Sequence, residues 1–298
     1  MSDGVAMPHD GKGAARGRRA PLSSLWLLAP AAVLFLFVFI LPVGEVALWS
    51  VQGEAGLSAE NYEAALGAGP YRTILFGTLQ LSFGVACACI LVGYPAAYFL
   101  ASRPPRNRTL LLLLILTPLW VSVLVRTFGW IVVLGREGLV NSMLIGIGAV
   151  DGPLQMLYTR GAVYIAMVQV LLPVAILVMF STMTTINRSL LMASRILGAS
   201  PWRGFVHIFL PLSAGGAVNA WMLTFVLALG FFITPALVGG PKETMIANLI
   251  ATQITLTLDW GLGSALGVVL LIAGFAVVGA IALLFRRVTG LSGHGGSR

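Results

Sequence analysis

Charge is scarce in this 298-residue chain. Asp, Glu, Lys and Arg together make up 9% of it, against 58% apolar residues and a mean hydropathy of +0.95. A water-soluble globule of this length needs far more polar surface, so that class is excluded. Lysine occurs only as Lys12 and Lys242, and neither lies in a Gly-x4-Gly-Lys-Ser/Thr loop. Nucleotide hydrolysis through a phosphate-binding loop is therefore closed to the chain. Histidine is limited to His9, His207 and His294, all outside the long apolar runs, and no His-Glu-x-x-His motif occurs. Gly290–Gly293 reads Gly-Leu-Ser-Gly, but no histidine at membrane depth is there to activate Ser292. No enzyme, metal site or bound cofactor is expected. The two cysteines, Cys87 and Cys89, are two residues apart in an apolar run, where a helix points them to different faces. They are expected to be small buried side chains, not a disulfide or a metal pair.

What is present is apolar length. Six runs, at 25–48, 71–100, 110–134, 161–184, 213–235 and 262–285, are each long enough to cross a hydrocarbon core of ~30 Å. They must be helices, because lipid offers no partner to an open backbone. The first is too long for a signal peptide and no Ala-x-Ala-like site follows it, so it reads as an uncleaved span. The expected organisation is an all-α integral membrane domain over 25–287 with its core at 70–285. Polar tails at 1–24 and 288–298 flank it, and the first is read as disordered. Between spans, 50–70 is an outer loop with a short helix near 59–66 that Ser58 caps. The segment 135–160 holds GLVNSMLIGIG, too short to cross and read as re-entrant or interfacial. Pro42, Pro95, Pro118, Pro173 and Pro235 fall in or at the ends of spans and are expected to kink them.

The net charge of +8 is a matter of sidedness, not of nucleic-acid binding. With six spans and the N-terminus inside, the inner segments carry Lys12, Arg16, Arg18, Arg19, Arg103, Arg106, Arg108, Arg188, Arg195, Arg203, Arg286, Arg287 and Arg298 against only Asp3 and Asp10. The remainder carries five basic residues against eight acids. This is the positive-inside pattern with both termini cytoplasmic.

One stretch breaks the apolar rhythm: Met192–Pro211, MASRILGASPWRGFVHIFLP. Arg188, Arg195 and Arg203 would each cost about 2.5–3.5 kcal/mol at a bilayer centre, so 186–212 is expected to stay in the cytoplasm. Its pattern predicts a helix from about Ser189 to Leu197, ended by Gly198, and then a second helix. Ser200 caps that second helix and Pro201 fills its first turn. Trp202, Phe205, Val206 and Phe209 then form one apolar stripe, and Leu210-Pro211 closes the helix before the next span. Such a stripe must be covered, either by the lipid interface or by a groove on a soluble partner.

These residues resemble the loop of permease subunits of binding-protein-dependent ABC importers (type I fold), which follows E-A-A-x3-G-x9-I-x-L-P. Met192-Ala193-Ser194, Gly198, Ile208, Leu210 and Pro211 keep every interval, with Met192 in place of the Glu and Ser194 in place of the second Ala. The stretches PLWVSVLVRTFGW, GYPAAYFLASRP and FFITPALVGGPKETMIANLIATQ are similar to the spermidine/putrescine-type branch. The resemblance implies an inner-membrane subunit that forms half of a pathway for a small organic solute, polyamine-like. Its implied partners are an ABC ATPase dimer that binds the ATP, a second permease (a paralogue rather than an identical copy) and an extracytoplasmic binding protein. Met192, Ala193, Ser194, Gly198, Ala199, Ser200, Pro201, Trp202, Phe205, Ile208, Leu210 and Pro211 would couple to the ATPase.

Polar residues inside spans are costly and face a bundle interior. That makes Gln80, Trp120, Arg126, Tyr164, Gln169, Asn219, Trp221 and Thr234 candidates for the pathway. Gln169 and Asn219 read equally as hydrogen-bond partners between helices. Arg126 would repel a polyamine and suits an ion pair with an outer acid such as Glu137. A secondary transporter or channel shares the kinked helices and buried polar groups. It does not need the Gly-turned hairpin.

Overall fold

The computed structural model describes residues 29–53, 56–67 and 69–292. The expected tail at 1–24, residues 293–298, and with them His9 and His294, lie outside these. The chain divides at Glu45/Val46 into two units. In the first, α1 (Ala29–Phe35) passes through a π-helical turn (Leu36–Ile40) into α2 (Leu41–Ser50), which runs on past the division.

The second unit is built on three long helices, α4 (Pro70–Ala101), α8 (Arg160–Thr185) and α11 (Leu210–Leu229). Their contact faces are rich in small residues: Ala86, Ala97, Ala166, Ala175, Ala220 and Ala228 are fully buried. Within a membrane, association draws on close packing rather than on a hydrophobic gain, and small side chains let the backbones approach. Val85, Cys89, Met167 and Met179 fill the spaces that remain. Cys89 is buried as expected, whereas Cys87 is exposed and accepts the Trp221 Nε1–H at 3.3 Å.

Two of the six expected spans are interrupted. The third is split into α5 (Pro105–Leu116), a 3-10 turn (Thr117–Trp120) and α6 (Val123–Leu134), and the path bends by 90° at the break. Pro118 sits in that turn and Val121 and Ser122 are extended, so the proline ends a helix where a kink was expected. α6 is followed by α7 (Leu139–Gly146), a short apolar helix in the 135–160 loop. The fifth span stops at Leu229, not 235; Gly230 closes it, and a short α12 (Ile233–Val238) follows. Helix α13 (Ile246–Thr252) and a third π turn (Gln253–Thr257) lead to α14 (Trp260–Ser292). α14 extends the last span past 285 and claims the first residues of the expected tail.

Connections at the end of the bundle away from the 192–211 hairpin are fixed by single hydrogen bonds. The Thr78 hydroxyl of α4 accepts from Ile246 N–H at 2.9 Å, and the Thr127 and Thr234 hydroxyls meet at 3.2 Å. α3 (Glu60–Leu66) is the expected loop helix; the Ser58 hydroxyl takes the Glu60 N–H at 3.1 Å.

Candidate coupling hairpin and membrane groove

After α8 the chain makes the expected turn. α9 (Ser189–Ile196) ends at Gly198, whose φ of +83° only glycine adopts without strain, and α10 (Pro201–Gly204) begins at once. Ser200 caps it, its hydroxyl accepting the Arg203 N–H at 3.3 Å. The arms nearly touch where Gly204 faces Ser194; a Cβ at 204 would stand 3.1 Å from the Ser194 hydroxyl. The residue that departs from the family pattern at 194 thus sits in the fork of the hairpin, and Gly204 is a constraint that the sequence reading missed.

Beyond Gly204 the second helix does not close at Leu210-Pro211. It widens into a π turn (Phe205–Phe209), with Leu210 N–H bonded to Phe205 O, and runs on as α11. Pro211 has no N–H for His207, and its ring would crowd that carbonyl in an α-helix; the wider turn relieves both problems. The same arrangement recurs at Pro42, which follows Leu36–Ile40 by the same interval. Hairpin and span therefore form one continuous helix from Pro201 to Leu229.

The expected stripe is divided between two roles. Phe205 and Phe209 turn inward onto α4, where Tyr98 meets them edge-on with ring centroids 5.2 and 4.9 Å away. Tyr94 reaches the Ser213 hydroxyl at 2.6 Å. Trp202 stays 72% exposed, and Met192, Ile196 (86%) and Leu197 (87%) are likewise bare apolar side chains. Ile196 and Leu197 escaped the sequence reading because they flank Gly198 instead of lying on the stripe. Arg188 anchors the hairpin's base, donating to the Ala101 and Ser102 carbonyls at the end of α4.

Of the pathway candidates, only Tyr164 and Gln169 come together. They line a groove of about 600 Å³ between α5, α6 and α8, walled by Trp130, Leu114, Leu172 and Pro173. Trp120 is exposed beside the break, and Asn219 is exposed on α11. Neither Gln169 Oε1 nor Asn219 finds a hydrogen bond among the described residues. Trp221 is spent in packing, stacked on Phe225 at 5.0 Å, and Thr234 is fully buried against Thr127. Arg126 does not pair with Glu137, which is exposed; its Nε and Nη1 have no partner among the described residues. The outer ion pair is instead Arg160 with Glu243 at 4.0 Å, steadied by Gln80, whose Oε1 accepts from Arg160 at 3.0 Å.

A family model described as the binding-protein-dependent transport system inner membrane component matches residues 89–290. The chain belongs to that family. The permease is 34% identical over 221 residues to the spermidine/putrescine transport system permease protein PotB of Escherichia coli, covering 74% of this chain and 79% of that one. It is 34% identical to PotB of Haemophilus influenzae, covering 66% and 69%, and 28% identical to a putative 2-aminoethylphosphonate permease of Salmonella typhimurium, covering 70% and 75%. In fold it is similar to a chain of a bacterial alginate ABC transporter complex, with a TM-score of 0.73 at 17% identity over 90% of this chain and 95% of that one. It is thus a multi-pass inner-membrane permease subunit of an ABC importer, and the secondary-transporter and channel readings are set aside.

Proposed function

We propose that this permease conducts an organic cation of the spermidine/putrescine class and is driven by an ATPase on a separate subunit that seats the 192–211 hairpin. One observation carries the coupling. The hairpin exposes Met192, Ile196, Leu197 and Trp202 around a rigid Gly turn, beside Arg195 and Arg203, and is continuous with the span Pro201–Leu229. An apolar tip ringed by arginines suits a partner groove with an apolar floor and acidic rim. Closure of the ATPase dimer would tilt a helix that reaches across the membrane, a rigid-body switch. On this reading both termini are cytoplasmic, and ATP binds the ATPase, not this chain. A second permease completes the pathway, and an external binding protein supplies the solute. The similarity to PotB and the surplus of carboxylates on the expected outer side (Glu54, Glu60, Glu63, Glu137, Asp151, Glu243 and Asp259) support a cationic cargo.

Uptake of labelled spermidine by vesicles holding the assembled importer is expected to need ATP on the hairpin side and binding protein on the other. Ile196→Asp/Leu197→Asp is expected to cut ATPase co-purification by about tenfold or more while the chain still inserts, since hot-spot loss commonly costs 2 kcal/mol or above. Uptake that survives ATP depletion, or wild-type ATPase recovery in the double variant, refutes the coupling.

A further inference from the structure

At the end of the bundle that carries the hairpin, positive charge has nothing set against it. The corner between α4 and α5, residues 102–108, reads SRPPRNR. Apart from Glu45 in α2, the described carboxylates belong to connections at the opposite end. Arg103 and Arg108 lie over rings, the first 4.1 Å from the Phe99 centroid and the second 5.5 Å from that of Phe180. An aromatic face takes up the plane of a guanidinium and leaves its N–H edge unspent. No hydrogen bond from the guanidinium of Arg103, Arg106 or Arg108 is found among the described residues. The nearby carbonyls of Ala101 and Ser102 are taken by Arg188. The corner is also stiff: Pro104 is extended at ψ 155° and Pro105 opens α5, so two ring-locked φ angles stand between Arg103 and Arg106. α5 starts with no side-chain cap and no acid in its first turn, where a helix dipole favours negative charge and here meets Arg106 and Arg108.

Directly beyond these arginines α5 buries no residue. Leu110 is 71% exposed and Leu114 69%, and with Arg106 they share one face at intervals of four. A free anion would satisfy the guanidinium edges and leave the leucines bare. A soluble protein could reach the corner but could not follow the stripe below the membrane surface. A phospholipid does both, with its phosphate where the span meets water and its chains beneath. We propose that the α4–α5 corner is a binding site for an anionic phospholipid. The guanidinium edges of Arg103, Arg106 and Arg108 take the headgroup phosphate, and an acyl chain lies along Leu110 and Leu114. A headgroup that carries an ammonium is disfavoured, because it would set its cation among three arginines.

Orientation of a span needs only charge, and lysine serves it as well as arginine. A phosphate seat needs the planar fork of a guanidinium, which two parallel N–H groups present to two oxygens. The two roles therefore separate when arginine is exchanged for lysine. The site owes nothing to which solute the permease carries.

The test uses the whole importer, purified through a tag on this chain and followed by native mass spectrometry, with phosphatidylglycerol and phosphatidylcholine of identical acyl chains as probes. The wild type is expected to retain phosphatidylglycerol about tenfold better or more, since each arginine near an anionic headgroup contributes about fivefold. Arg103→Gln/Arg106→Gln/Arg108→Gln is expected to erase that preference while the chain is recovered at wild-type yield. Arg195→Gln/Arg203→Gln, which strips charge from the hairpin instead, is expected to keep it. Arg103→Lys/Arg106→Lys/Arg108→Lys is expected to retain phosphatidylglycerol several-fold more weakly than the wild type. Retention by the lysine variant equal to the wild type would mean diffuse charge in place of a seat and overturn the proposal. An undiminished preference in the glutamine variant, an equal loss in the hairpin variant, or displacement of the lipid by inorganic phosphate overturns it too. If the glutamine variant fails to assemble, the lysine variant, which keeps the charge that insertion needs, decides alone.

Discussion

Gly198 holds the 192–211 hairpin through backbone geometry alone. A Cβ there would meet open space, so bulk is tolerated sterically, while φ of +83° costs an ordinary L-residue about 1–2 kcal/mol. Size and conformational preference therefore make opposite forecasts. Asparagine is larger than alanine yet visits the left-handed region more readily, by hydrogen-bonding locally. Gly198→Asn is expected to keep more ATP-driven uptake than Gly198→Ala, and Gly198→Val the least. Uptake ranked by side-chain volume, with alanine above asparagine, would show that space and not backbone strain governs the turn. Gly204 obeys the reverse rule: its φ is helical at −60° and its limit is the Ser194 hydroxyl across the fork.

At the scale of elements, the join between hairpin and span is where the proposed coupling would act. Phe205 lies between Trp202 and Phe209, stacked on both, and edge-on to Tyr94 and Tyr98 of α4, inside the π turn. Each such ring pair is worth about 0.5–1.5 kcal/mol beyond its buried area. Phe205→Ala is expected to leave ATPase bound through the exposed tip but to loosen the link to α4, so ATP turnover continues while uptake per ATP falls several-fold. An unchanged ratio of solute to ATP would rule out a mechanical role for the ladder. Much of this region was legible in the sequence: Gly198 marked the turn and Ser200-Pro201 marked the restart. The inward turn of Phe205 and Phe209 was not, because a stripe at helical spacing does not say which neighbour covers it, and the tyrosines that do are over a hundred residues away. The breaks at Val121-Ser122 and Gly230 were equally hidden. Hydropathy runs through both without a change, and only packing against other helices decides whether a proline or glycine bends a span or ends it.

For the molecule as a whole, the two ends of the bundle differ in chemistry. At one end Arg188 ties α9 to the end of α4, with Arg103 over the Phe99 ring at 4.1 Å and Arg108 over Phe180 at 5.5 Å. At the other, Arg160, Glu243 and Gln80 join the starts of α8 and the 241–243 turn to α4. Basic residues near span ends set orientation because they resist translocation, so the arginine-rich end, with the hairpin, is expected in the cytoplasm. The odd number of crossings between Ile196 and Tyr158 fixes the rest: α8 alone separates them, so they must face opposite sides. In a chain freed of native thiols by Cys87→Ser and Cys89→Ala, a cysteine at Ile196 is expected to react with a membrane-impermeant maleimide only in inside-out vesicles. A cysteine at Tyr158, itself 56% exposed, is expected to react only in right-side-out ones. Labelling of both from one side would mean that α8 does not cross, and the hairpin would then have no span through which to pass a nucleotide-driven movement to the far end of the bundle.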